Sequence, residues 1–104
     1  MDSNKCCIVL TTTDSKKNAN LIAKTLLEGK LVACVQIDRV ESFFYYEANY
    51  RQTNEFRLMI KAPYDNYRAI EESIRFIHNY HLPQIIKLDI ANGLPEYLEW
   101  ICRK

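Results

Sequence analysis

Hydrophobic and polar positions alternate along this chain with two clear periods. Cys6 to Thr12 is an apolar, β-branched run of strand length, and such a run satisfies its backbone only inside a sheet. Asp14 and Ser15 then offer a helix N-cap, and Ala19, Ile22, Ala23 and Leu26 recur at i, i+3, i+4 and i+7 until Gly29 stops the pattern. Leu31 to Ile37 reads as a second buried strand. Ser42 to Tyr50 is an aromatic-rich extended segment, and Phe56, Leu58 and Ile60 alternate with Arg57, Met59 and Lys61 in another, with a turn or bend expected in the polar stretch Asn49 to Asn54. After Pro63 and Asp65 the period returns to helical, with Tyr67, Ile70, Ile74 and Ile77 on one face. Ile86, Leu88 and Ile90 make a last strand. Asn92-Gly93 is expected to turn the chain into a short helix marked by Leu94, Tyr97, Leu98 and Ile101.

The predicted order, β-α-β-β-(β)-α-β-α, is that of the α+β ferredoxin-like βαββαβ sandwich with extended hairpin strands and a short C-terminal helix. In it two helices cover one face of a largely antiparallel sheet. The other face carries no helix to cover it. The aromatic strands would leave large rings exposed in a single chain, and native proteins cover such edges, so pairing of identical chains through these strands is expected.

A length of 104 residues gives one domain, 1–104, and no second core. The formal net charge of +1, with both signs mixed along the chain, lacks the concentrated basic face that nucleic acid or an anionic membrane would require. The apolar run at Cys6 to Leu10 is too short for a signal peptide core, and no stretch nears membrane-spanning length, so the chain is expected in the cytoplasm.

Candidate chemistry is sparse. Cys6 and Cys7 are adjacent, Cys34 and Cys102 are isolated, and with no C-x-x-C pair the four cysteines read mostly as small buried hydrophobes. Cys34 with His78 or His81 could form a Cys-His nucleophile, but a thiol within Leu31-Val32-Ala33-Cys34-Val35 sits in apolar surroundings that favour an inert form. No catalytic fingerprint is present, and no enzymatic activity is expected. His78-Asn79-Tyr80-His81 is the segment with soft-metal potential, because imidazoles three apart share a face if the helix continues; Pro83 opposes that continuation. Glu55 and Lys61 lie opposite Phe56, Leu58 and Ile60 by parity, which means solvent unless a neighbour covers the strand.

Together, Cys7-Ile8-Val9-Leu10-Thr11-Thr12, Lys30-Leu31-Val32-Ala33-Cys34-Val35, Glu55 with Leu58-Met59-Ile60-Lys61, His78-Asn79-Tyr80-His81-Leu82-Pro83-Gln84-Ile85-Ile86, and Gly93 with Tyr97-Leu98-Glu99-Trp100 resemble the divalent-cation tolerance proteins called CutA. The resemblance runs from about Cys6 to Trp100. It implies a ferredoxin-like homotrimer similar in architecture to the PII signalling proteins, an association with tolerance to copper and other divalent metals, and no obligatory cofactor. It further implies a cleft between subunits around Cys34, Glu55, Lys61, His78, Tyr80 and Pro83, with His78 the metal-ligand candidate. The chain departs from the family pattern at Phe44-Tyr45-Tyr46-Glu47-Ala48, where a tryptophan and a glycine are usual, at Gln84 in place of a glutamate, and at Thr11, which supplies no thiol. Rival readings on the same fold are a PII-like regulator binding a metabolite and a partner protein, an acylphosphatase-like hydrolase, for which Thr11-Thr12-Thr13-Asp14 is poor in Gly and Arg, and an RNA-binding sheet, which the near-neutral charge opposes.

Overall fold

The computed structural model describes residues 5–103. Its elements run β1 (Cys6–Thr13), α1 (Lys16–Glu28), β2 (Cys34–Tyr46), β3 (Asn49–Pro63), a single 3-10 turn (Tyr64–Asn66), α2 (Tyr67–Ile77), β4 (Ile85–Asp89) and α3 (Pro95–Cys102). The four strands form one antiparallel sheet in the order β2-β3-β1-β4. This is the ferredoxin-like sandwich expected from the element order.

Ser15 caps α1 as expected, its hydroxyl accepting from the Asn18 amide at 3.0 Å. Ile22 and Leu26 of α1 and Ile70 and Ile74 of α2 are fully buried against Val9, Leu58 and Ile60 of the sheet. Burying side chains of this size contributes roughly 1.5–3 kcal/mol each, which makes this layer the main source of stability. Gly29 stops α1 in an ordinary right-handed conformation, and the left-handed position falls to Lys30, at φ 58°.

The hairpin differs from the sequence expectation. Leu31–Ile37 and Ser42–Tyr50 are not separate strands: β2 begins only at Cys34 and continues unbroken to Tyr46. The turn is made by Glu47 and Ala48, at φ 52° and 65°, while the stretch expected to bend, Asn49 to Asn54, is strand. Positive φ at both central positions matches the right-handed twist of a two-residue hairpin, and the regular pairing from Cys34↔Lys61 to Tyr46↔Asn49 holds the turn there despite its non-glycine residues.

β1 pairs only with Phe56 to Pro63 of β3, so the outer part of the hairpin projects as a two-stranded arm, and the molecule with its arm measures 46 Å in its longest dimension. Asn92-Gly93 makes no tight turn but lies in an irregular connection, where a Cβ on Gly93 would sit 3.0 Å from a methyl of Leu98. α3 follows on the sheet face opposite α1 and α2: Tyr97 meets Lys61, and Leu98 meets Cys6. The rest of that face is left bare, with Ile86 and Leu88 almost half exposed.

Candidate functional site

α2 ends at Ile77, and His78 leaves it in an extended conformation, its amide still bonded to Ile74. His78 and His81 therefore share no helical face. The segment that follows crosses the end of β1 and is tied to it by hydrogen bonds. Thr13 donates to Asn79 Oδ1 at 2.6 Å, Thr12 donates to Gln84 Oε1 at 3.3 Å, and Asn79 donates to Asp14 at 2.8 Å. Gln84 thus works as an anchor for this segment.

β1 stops opposite Phe56, one residue short of Glu55. Tyr80 fills the vacated edge, its hydroxyl donating to Glu55 Oε2 at 2.5 Å, while Ser42 on β2 donates to Oε1 at 2.5 Å. Glu55 is consequently buried, only 8% exposed, although strand parity places it on the uncovered face. Two hydroxyl donors offset the loss of water around its carboxylate. Burial, reinforced by the hydrogen bond to Glu55 and its charge, pushes the Tyr80 phenol well above the usual tyrosine range.

The His78 ring packs 5.0 Å from the Tyr80 ring between centroids. Its Nε2 donates to the Thr12 carbonyl at 2.9 Å and its Nδ1 accepts from the Tyr80 amide at 3.0 Å, a pattern only the neutral imidazole can make. Burial lowers its pKa, opposed by the Thr12 carbonyl and the charges of Glu55 and Asp14.

Glu55 and Tyr80 form part of the wall of a cavity of about 450 Å³, with Phe44, Tyr46 and Arg51 from the hairpin arm and His81 from the crossing segment. That size lies in the range of small-molecule sites, and the lining, with Asp14, Thr53 and Asn79 beside the groups just named, is more polar than most such sites, which suits a polar ligand. The same donors do not fit a resident metal ion. Both His78 nitrogens and both Glu55 oxygens are already engaged, and among the described residues no group of three or more His, Cys, Asp or Glu side chains converges.

The sequence candidates divide into two sets within one chain. Glu55, His78 and Tyr80 come together. Cys34 and Lys61 are register partners at the other end of the sheet, six residues along β3 and roughly 20 Å from Glu55 at strand rise. Lys61 donates there to the Tyr97 hydroxyl at 3.2 Å. Cys6 and Cys7 are buried as expected, whereas Cys34, expected buried from its apolar flanks, is partly exposed, as is Cys102. Sequence reasoning missed Ser42, whose place two residues along β2 from the partner of Glu55 is legible only once the turn is located, and it missed Arg51, hidden in a stretch read as a bend.

The comparisons agree with this fold. The family model described as "CutA1 divalent ion tolerance protein" matches residues 7–104. A divalent-cation tolerance protein CutA of Archaeoglobus fulgidus is 36% identical over 93 residues, covering 89% of this chain and 91% of that protein. Its counterpart in Thermus thermophilus is 34% identical over 95 residues, covering 90% and 92%. Among solved structures, the periplasmic divalent cation tolerance protein CutA of A. fulgidus superposes with a TM-score of 0.89 at 34% identity over 92% of this chain and 94% of that one. CutA1 of the psychrotrophic bacterium Shewanella sp. SIB1 gives 0.88 at 37% identity, covering 92% and 91%. The elements and their order thus meet a match across nearly the whole length, and the chain belongs to the CutA divalent-cation tolerance family.

Proposed function

We propose that this chain serves divalent-cation tolerance as a homotrimer whose clefts bind a small organic ligand, tolerance being a consequence of that binding. The observation that carries this reading is the buried Glu55 carboxylate, pinned by Ser42 and Tyr80 in the wall of a cavity rimmed by Phe44, Tyr46 and Arg51. Assembly is supported by the bare sheet face. Ile86 and Leu88 are 44% and 48% exposed, and on the arm Tyr45 and Tyr50 are 76% and 65% exposed. A face so apolar is covered by a second copy at less cost than by water. A trimer gives the distant Cys34 and Lys61 a route to the cleft, as residues of a neighbouring copy. The projecting arm also suits the regulatory variant of this reading, in which it presents a partner surface.

Light scattering at micromolar concentration tests assembly: about three times the chain mass of 12.3 kDa is expected, and a stable monomer sinks the trimer. Ligand class is tested on the same sample by a thermal-shift screen of metabolites beside calorimetric titration with Cu(II) and Zn(II). A saturable shift with a metabolite, lost in Tyr80→Phe, supports the organic cleft. Micromolar or tighter Cu(II) binding that weakens in His78→Ala would replace it with direct metal binding.

A further inference from the structure

Cys6 opens β1 and Cys102 closes α3, 96 positions later in the chain, yet their sulfurs lie 3.1 Å apart. Parity puts the Cys6 side chain on the sheet face opposite Cys7 and Val9, where α3 packs, and its Sγ also approaches the Leu98 carbonyl at 3.5 Å. The Cys102 Sγ lies 3.4 Å from the Lys5 carbonyl and is partly open to solvent, whereas Cys6 is buried. Sulfurs already in contact need about 1 Å of further approach to reach the covalent distance of about 2.05 Å. We propose that Cys6 and Cys102 are a redox modification site, a dithiol that reacts with low-molecular-weight disulfides and closes reversibly into a disulfide joining α3 to β1.

The exposure difference sets the order of events. The thiolate of Cys102, the accessible partner, attacks one sulfur of the small disulfide, forms a mixed disulfide and releases one small thiolate, which takes up a proton. The Cys6 thiolate then attacks Cys102 Sγ, forming the Cys6–Cys102 bond and expelling the second small thiolate, also protonated. The protein has given up two electrons and two protons, and one small disulfide has become two thiols. An excess of small thiol runs the same steps backwards.

The other two thiols are bystanders. Cys7 faces the helices, its Sγ approaches the Pro63 carbonyl at 3.9 Å, and burial pushes its pKa up. Cys34 begins β2 beside Lys61, two strands away from β1. Closing the ring from position 6 to position 102 constrains almost the whole unfolded chain, the case in which a cross-link stabilises most.

The test uses the full-length oligomer, incubated with oxidised or with reduced glutathione, alkylated, and mapped under non-reducing conditions by mass spectrometry. Expected are a mass loss of about 2 Da per chain, a linked peptide pair containing Cys6 and Cys102, and an unfolding temperature raised by about 10 °C or more. All three should reverse with dithiothreitol, survive in Cys34→Ser and vanish in Cys102→Ser, a change at a partly exposed helix end that leaves the core untouched. A glutathione adduct that persists on Cys102, a link through Cys7 or Cys34, or complete alkylation of all four thiols after oxidation would each overturn the proposal.

Discussion

Replacing Tyr80 with phenylalanine removes one oxygen and keeps the ring that packs on His78, so it isolates the hydrogen bond to Glu55. That bond is short, its acceptor is a carboxylate only 8% exposed, and the remaining donor, Ser42, serves the other oxygen. Hydrogen bonds to charged groups contribute about 1.5–3 kcal/mol, and an orphaned buried oxygen forfeits that amount unless water replaces the donor. Because the cavity of about 450 Å³ opens beside Glu55, water has access, and the lower half of the range, about 1.5–2 kcal/mol, is expected. Ser42→Ala should cost a similar amount. Since both hydroxyls serve one carboxylate, the double variant should depart from the sum of the single ones by at least about 0.5 kcal/mol. The assay is urea denaturation at one fixed protein concentration, so that any association contributes equally to every variant. A loss below about 0.3 kcal/mol in Tyr80→Phe, or strict additivity with Ser42→Ala, would refute the view that these hydroxyls hold Glu55 in its buried place.

The remaining expectations concern single groups. His78 has a folded pKa below its unfolded one, so the unfolded chain binds the extra proton; stability should be complete above about pH 6.5 and decline as pH falls through that region, a slope that His78→Gln should flatten in a pH series of denaturation midpoints. Thr11 is fully buried, and its hydroxyl has no partner among the described residues, so Thr11→Val should be neutral or stabilising by up to about 1 kcal/mol in thermal unfolding, and a clear destabilisation would reveal a partner for it. Ala48→Gly should make the arm's tip about 1 kcal/mol harder to open, because φ 65° strains an L residue and not glycine; slower amide hydrogen exchange in the arm is expected, and unchanged exchange there would mean that the turn carries no strain.

The helices and the central strands were legible because burial on one side imposes a period. Ile22 and Leu26, and Ile70 and Ile74, could only be a helix face, and Cys6 to Thr12 could only be buried strand. The arm was not, for two physical reasons. Neither of its faces meets a core, so Asn49 to Asn54 carries no alternation, and the turn is made by Glu47-Ala48, which lack the glycine or asparagine that signals positive φ. The candidate site was half legible. The resemblance singled out Glu55, His78 and Tyr80, but their connection depends on β1 ending one residue early, a matter of register that no local pattern encodes. Cys6 and Cys102 lie at opposite ends of the chain, and only the packing of α3 on β1 brings them together.

The arm has a consequence for how the molecule responds to its surroundings. Beyond Glu55, which Tyr80 ties to the body, the hairpin is held by its own ladder, and a two-stranded ribbon without a core beneath it is marginal in water. Its outer half should therefore exchange amide hydrogens orders of magnitude faster than Val9 or Leu58, opening and closing independently of the body. Whatever packs on it must first supply the free energy of keeping it closed. The order of the arm is then a gauge of occupancy, and because Phe44, Tyr46 and Arg51 stand on it, the cavity wall should be only as rigid as the arm itself.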